Sequence, residues 1–177
     1  MSTISQPLII QPGAGYELHA FGNVLSVMLD GEQTNGLLSI MTELTPPGGG
    51  PPLHIHSRED EIFLVTEGRV SYFVNGKWTE VGVGGVVYLP VGVPHCYRNV
   101  GETPSRHWII ALPSGFEQFF AAAAAEFARP GGPNPENIVE IHHQFGMDLE
   151  PIRKFAACLL RPEINLRATD TKSAQAD

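Results

Sequence analysis

Apolar and polar residues alternate along most of the first 112 positions, and Gly, Pro, Asn and Asp cut the alternation at short intervals. Period-two patterning in short runs bounded by such residues predicts strands. The runs are Glu17–Phe21, Val24–Leu29, Leu37–Leu44, His54–His56, Glu61–Val65, Val70–Val74, Trp78–Val81, Val86–Leu89 and Arg106–Leu112, with another strand starting at His95. Asn75-Gly76 is a two-residue hairpin signal. No useful helical periodicity occurs between residues 15 and 112, so the pattern predicts a β-sandwich or barrel.

The pattern changes after Leu112. Ser114 followed by Glu117 reads as a capping box, and the alanine-rich run to Ala128 has high helix propensity. Arg129-Pro130-Gly-Gly-Pro133 stops it. Asn134 with Pro135 can open a second helix, which Gly146 closes. Its apolar stripe is Ile138, Ile141, His142 and Phe145. Both helices are expected to cover one end or the outer face of the sheets. Residues 1–15, with Leu8-Ile9-Ile10, read as an N-terminal arm or extra strand, residues 16–112 as the β-domain, 113–149 as the helices and 150–177 as a tail whose last ten residues fray.

Candidate chemistry lies between Gly48 and Asn99. One cluster reads Gly48-x5-His54-x-His56-x4-Glu61-x6-Gly68, and the other Gly84-x5-Pro90-x-Gly92-x2-His95-x3-Asn99. Three imidazoles and a carboxylate suit a first-row transition metal better than calcium or magnesium. His54 and His56 share a strand face. Glu61 has the opposite parity, so Ser57-Arg58-Glu59-Asp60 is expected to turn or bulge and reset the register. Glu59 and Asp60 read as a solvated rim, and His107, His142 and His143 as packing or surface histidines. Cys96, beside His95, should point to the other face.

Taken together, the two clusters resemble the two motifs of the cupin superfamily over residues 48–99, separated by the short spacing of residues 69–83 seen in microbial members. The resemblance implies a double-stranded β-helix, or jelly roll, with His54, His56, Glu61 and His95 holding one divalent metal: Fe, Mn, Ni, Co or Cu, with Zn possible. Residues 113–149 are similar to the tail of bacterial quercetin 2,3-dioxygenase-like cupins. Strand parity adds Phe63 and Val65 beside Glu61, Tyr97 beside His95, and Met41 from an upstream strand, as pocket residues. That wall is apolar, which favours an aromatic or hydrophobic ligand. The expected function is a metal-dependent dioxygenase acting on an aromatic, flavonol-like or enol-containing substrate and dioxygen, with Glu61 accepting a proton. A non-catalytic binding cupin and a cupin isomerase or decarboxylase are the alternatives.

Composition narrows the partners. The 177-residue chain has a formal net charge of −8 and no basic patch, which argues against nucleic acid and anionic membranes. No apolar stretch is long enough to span a bilayer, and no signal segment opens the chain. Two cysteines are too few for a disulfide scaffold, so a reducing cytoplasm is the expected setting. Edge strands, and the arm as an exchanged or covering strand, favour a homodimer.

Overall fold

In the computed structural model, residues 7–149 are described. The strands are β1 (Tyr16–Ala20), β2 (Asn23–Leu29), β3 (Ser39–Thr45), β4 (His54–His56), β5 (Asp60–Glu67), β6 (Val70–Val74), β7 (Lys77–Val81), β8 (Val86–Leu89), β9 (His95–Asn99) and β10 (Ser105–Leu112). Helices α1 (Phe116–Phe127) and α2 (Pro135–Gln144) follow, then a short strand, β11 (Met147–Leu149). The strands form a six-stranded sheet, ordered β1-β2-β3-β10-β5-β8, and a five-stranded sheet, ordered β11-β4-β9-β6-β7. All pairings are antiparallel. This is a jelly roll in which two sheets face each other without hydrogen-bonding into one closed ring.

Register sorts the inner face into floors. His107 of β10 lies opposite Glu43 and Val65, Ile109 opposite Met41 and Phe63, and Ala111 opposite Ser39 and Glu61. In the other sheet His95 lies opposite His54 and Val74, and Tyr97 opposite Tyr72. The three histidines and Glu61 therefore occupy one floor. An aromatic floor of Phe63, Tyr72 and Tyr97 comes next, with ring centroids 5.5–5.9 Å apart. Glu43 and His107 lie beyond it. Four residues separate the rows of Ala111 and His107, about 13 Å along a strand.

Helix α1 presents Phe116, Phe119, Phe120 and Ala123 to the core, the i, i+3, i+4, i+7 stripe of an amphipathic helix. Its start differs from the capping box expected of Ser114. Gly115 is the N-cap, without a side-chain cap bond. Only the acidic half of the motif operates: Glu117 accepts from the Gly115 N–H at 2.8 Å and, with its other oxygen, from the Gly31 N–H at 3.0 Å. That second bond ties the helix start to the β2–β3 loop. Helix α2 opens as expected, with Asn134 accepting from the Glu136 N–H at 2.8 Å and Pro135 in the first turn.

Three features were not legible in the pattern. Residues 7–15 form no strand; Leu8 and Ile10 instead border a groove with Met28, Ile40 and Trp108. Phe21 does not extend β1 but enters the turn, with φ of 56° before Gly22 at 79°, as a two-residue hairpin loop demands. Its ring stacks on Phe119 at 5.9 Å and meets Phe127 edge-on at 4.9 Å, an aromatic contact that offsets the strain of a bulky residue at positive φ. Finally, β11 pairs with β4, placing Met147 opposite His56 and Leu149 opposite His54.

Gly50 shows how tightly the sheets close on the site. It has φ of 144°, and a Cβ there would lie 2.0 Å from the Tyr97 carbonyl oxygen. Backbone must move to admit any side chain. Gly50→Ala is expected to cost at least about 2 kcal/mol, read as a fall in the urea midpoint. An unchanged midpoint would show that this approach is not close in solution.

Candidate metal centre

The turn after β4 settles the parity of Glu61. Ser57 and Arg58 bend the chain, and β5 restarts at Asp60, so Glu61, Phe63 and Val65 are buried while Leu64 is exposed. The turn is clamped from the far end of the chain. The Ser57 N–H and hydroxyl each donate to the Gly146 carbonyl at 2.8 Å, and Arg58 donates to the Gln144 carbonyl at 2.9 Å. The α2–β11 corner thus fixes the offset between the two histidines and the carboxylate.

His54, His56, Glu61 and His95 are all buried, and one ligand atom from each lies within 4.8 Å of the others. Each imidazole is held from behind. Nδ1 of His54 lies 2.9 Å from the Pro52 carbonyl, and Nδ1 of His95 lies 2.9 Å from the Val93 carbonyl. A carbonyl only accepts, so both Nδ1 atoms carry the hydrogen and both Nε2 atoms present lone pairs inward. Nδ1 of His56 faces Glu59 Oε2 at 3.3 Å. Glu59 is 4% exposed, so it is not the solvated rim residue expected; it is drawn inward as a partner of His56. Asp60 bonds the Tyr88 hydroxyl at 2.9 Å and the Val91 N–H at 2.8 Å, joining β5 to β8 and the following turn.

The inward atoms lack partners of their own. His56 Nε2, His95 Nε2 and Glu61 Oε2 are buried without a hydrogen bond among the described residues, although Glu61 Oε2 lies 3.0 Å from His95 Nε2 and 3.4 Å from His56 Nε2. Those contacts are close, but they are not directed hydrogen bonds. Three orphaned donor atoms converging in a buried site are costly without a cation. The donor set therefore fits a divalent transition metal. Electrostatics agree. Lost hydration, then the neighbouring His95 and His56, lowers His54 to about 3, leaving it in the neutral form that ligates metals. Burial opposes ionisation of Glu61, but the imidazoles of His56, His95 and His54 outweigh it and hold the carboxyl at about 2. Burial also works against a charge on His56, yet Glu61 and Glu59 prevail and raise it.

The cluster opens on a cavity of about 260 Å³. His54 and Glu61 line it at one end, and Phe63, Tyr97 and Ile109 form its sheet walls. The helical side is aromatic. Phe116 meets the His56 ring edge-on at 4.9 Å and stacks on Phe119 at 5.8 Å, while His142 packs on Phe119 at 4.9 Å. Of the four expected pocket residues, Phe63 and Tyr97 line the cavity. Val65 and Met41 are fully buried in the core and do not line it. Val65 lies a floor below Phe63, and Met41 packs among the side chains of the aromatic floor.

The wall is also less apolar than expected. Glu43, 1% exposed, lines the cavity. It accepts from Asn23 Nδ2, the Tyr97 hydroxyl and, at 3.0 Å, His107 Nε2. His107 Nδ1 then accepts from the Tyr72 hydroxyl at 3.2 Å. Burial and the neighbouring Glu43 push both phenols up, so both stay protonated and donate. His107 is thus an internal relay between Glu43 and Tyr72, not an ordinary packing histidine. Parity could have found Glu43: if Met41 faces inward, residue 43 does too. His142, expected as a surface or packing residue, packs beside the cavity and lines it. Cys96 points outward from β9 into a small cluster with Leu53, Phe73 and Trp78.

Glu59 offers a direct test of the support around the site. Glu59→Gln leaves all four candidate ligands intact but weakens the hold on His56. Metal affinity is expected to fall about 10- to 100-fold, measured by chelator competition; an unchanged affinity would show that Glu59 does not tune His56.

A family model for the cupin domain matches residues 41–110. The quercetin 2,3-dioxygenase of Bacillus subtilis is 32% identical over 93 residues, which cover 52% of this chain and 27% of that enzyme. The match therefore spans about a quarter of that relative's length. KdgF from a Halomonas species superposes with a TM-score of 0.56 at 15% identity, covering 63% of this chain and 99% of that one. A predicted oxalate decarboxylase of Thermotoga maritima superposes with a TM-score of 0.54 at 20% identity, covering 60% and 99%. At such identities the structural likeness speaks to fold alone. No described helix is long and apolar enough to cross a membrane. The sequence match is centred on the strands that carry the ligand cluster, so residues 41–110 of this chain resemble the cupin domain, and the solved structures share its fold.

Proposed function

We propose that this chain is a metal-dependent dioxygenase acting on an aromatic, flavonol-like or enol-containing small molecule. The observation that carries the proposal is the convergence of His54, His56, Glu61 and His95 on one end of an aromatic-walled cavity. The partial sequence likeness to quercetin 2,3-dioxygenase supports the same reading. A redox-active divalent metal, when bound, would supply Lewis acidity and a site for dioxygen chemistry.

The chain's own residues supply the rest. The Nε2 atoms of His54, His56 and His95 and a Glu61 oxygen would hold the ion. Phe63, Ile109 and Phe116 admit a flat ring and exclude water from it. Glu61 is ionised across the physiological range, so its carboxylate can accept the proton of a substrate enol or phenol.

Oxygen uptake tests the proposal. Protein loaded in turn with Fe(II), Mn(II), Ni(II), Co(II) and Cu(II) is offered quercetin and simpler enols and diphenols, with a His54→Ala/His56→Ala control. Uptake that the control abolishes supports the dioxygenase reading. Substrate conversion without uptake moves the assignment to an isomerase or decarboxylase. No conversion with any metal leaves a binding cupin.

A further inference from the structure

The cavity has a second polar end that the ligand cluster leaves unused. Asn23 and Glu43 both line it, and Glu43 roots beyond the aromatic floor from the histidines. Asn23, at the start of β2 just after the Phe21-Gly22 turn, is 7% exposed. Its Nδ2 donates to Glu43 Oε1. That bond fixes the amide, because a flipped amide would set its oxygen against the carboxylate. Asn23 Oδ1 is therefore committed as an acceptor, and it is buried without a partner among the described residues.

The neighbouring hydroxyl and imidazole donors are already committed. Tyr97 and His107 both donate to Glu43 Oε2, and Tyr72 donates to His107. Glu43 Oε1 takes only the Asn23 bond among the described residues and retains a lone pair. Two acceptors with spare capacity thus border one cavity, and an acceptor buried without a donor is costly.

We propose that Asn23 and Glu43 form a donor-recognising subsite, which takes an O–H or N–H group carried by an aromatic ligand at the end of the cavity away from the histidines. The apolar walls between the two ends select a flat ring system. Glu43 repels a carboxylate or phosphate placed there, and an ether oxygen, which can meet at most the second Asn23 Nδ2 hydrogen, leaves both spare acceptors unpaired. For the natural ligand, this deepens the proposed function and rests on it: the preferred substrate carries a free hydroxyl remote from its metal-binding oxygens, and O-methylation of that hydroxyl removes the preference.

The test uses metal-free protein, so that it does not depend on turnover. Binding of 2-naphthol and of 2-methoxynaphthalene is measured by calorimetry or by chemical-shift titration. Wild type is expected to bind the naphthol about tenfold tighter, and Asn23→Ala, in which only Glu43 Oε1 can still accept, to lose much of that preference. Asn23→Ser, which keeps a small acceptor, should retain part of the preference, and circular dichroism checks the fold of both variants. Equal binding by wild type, a full preference surviving in Asn23→Ala, or no binding of either probe at millimolar concentration each overturns the subsite. Failure of oxygen uptake with every metal would instead count against the dioxygenase alone.

Discussion

Protein purified without a metal-affinity tag is expected to carry close to one transition-metal ion per chain, and His95→Ala to lose it. Even a change behind a ligand costs about 10- to 100-fold in metal affinity, so removing a ligand should cost at least about 100-fold. Elemental analysis reads this directly. Binding also stabilises the fold, because an ion at about 100 times its Kd adds about 2.7 kcal/mol. For a domain of this size that is a rise in Tm of roughly 5–10 °C over chelator-treated protein. Acidification should release the ion, since protons compete for the imidazole Nε2 atoms, and His56, whose proton affinity is raised, competes first. A chain with no metal, and a Tm indifferent to chelator and to added ions, would remove the metal centre from the account. Stoichiometric zinc would favour the binding role, because four protein ligands saturate a tetrahedral site.

Glu43→Ala is expected to be the most destabilising single change at the base of the cavity. It strips the acceptor from Asn23 Nδ2, the Tyr97 hydroxyl and His107 Nε2 at once, where all four residues are buried. Each stranded donor costs about 1–3 kcal/mol, less whatever rearrangement recovers, so a total of about 3–5 kcal/mol is expected. That is a large share of a typical domain's stability. Denaturant unfolding of the metal-free protein measures it without interference from the ion. Glu43→Gln keeps the volume and one carbonyl oxygen, and should fall in between. A loss below about 1 kcal/mol for the alanine variant would mean that the three donors find other partners.

Much of the site follows from local physics. Side chains alternate along a strand, so His54 and His56 had to share a face, and Phe63 had to follow Glu61. The break at Ser57–Asp60 was legible because a strand cannot otherwise bring residue 61 round to the face of residue 56. Asn99, which closes the second cluster, bonds its local backbone at Thr103 and Gly101, while its bond to the Thr45 carbonyl at 2.9 Å reaches across to β3. Helix α2 was written in Asn134, Pro135 and Gly146, whose preferences act within a single turn.

The remainder depends on neighbours far apart in the chain. Glu59 reads as solvated in a polar run and is buried because His56 Nδ1 needs an acceptor on that side. Glu43, Asn23, His107 and the two tyrosines come from five strands, and no spacing along the sequence announces their meeting. Phe21 is bound into the helical cover by rings around a hundred positions away. The chain by itself determined the ten strands before the helices, the two helices, and the candidate ligand cluster with its common face, because those rest on periodicity and on turn and cap preferences that act over a few residues. Only the tertiary structure decided the cavity's second polar end, the carboxylate behind His56 and the pairing of β11 with the ligand strand, because the cost of burying a polar group can be met by whichever distant residue the folded sheets bring within hydrogen-bonding reach.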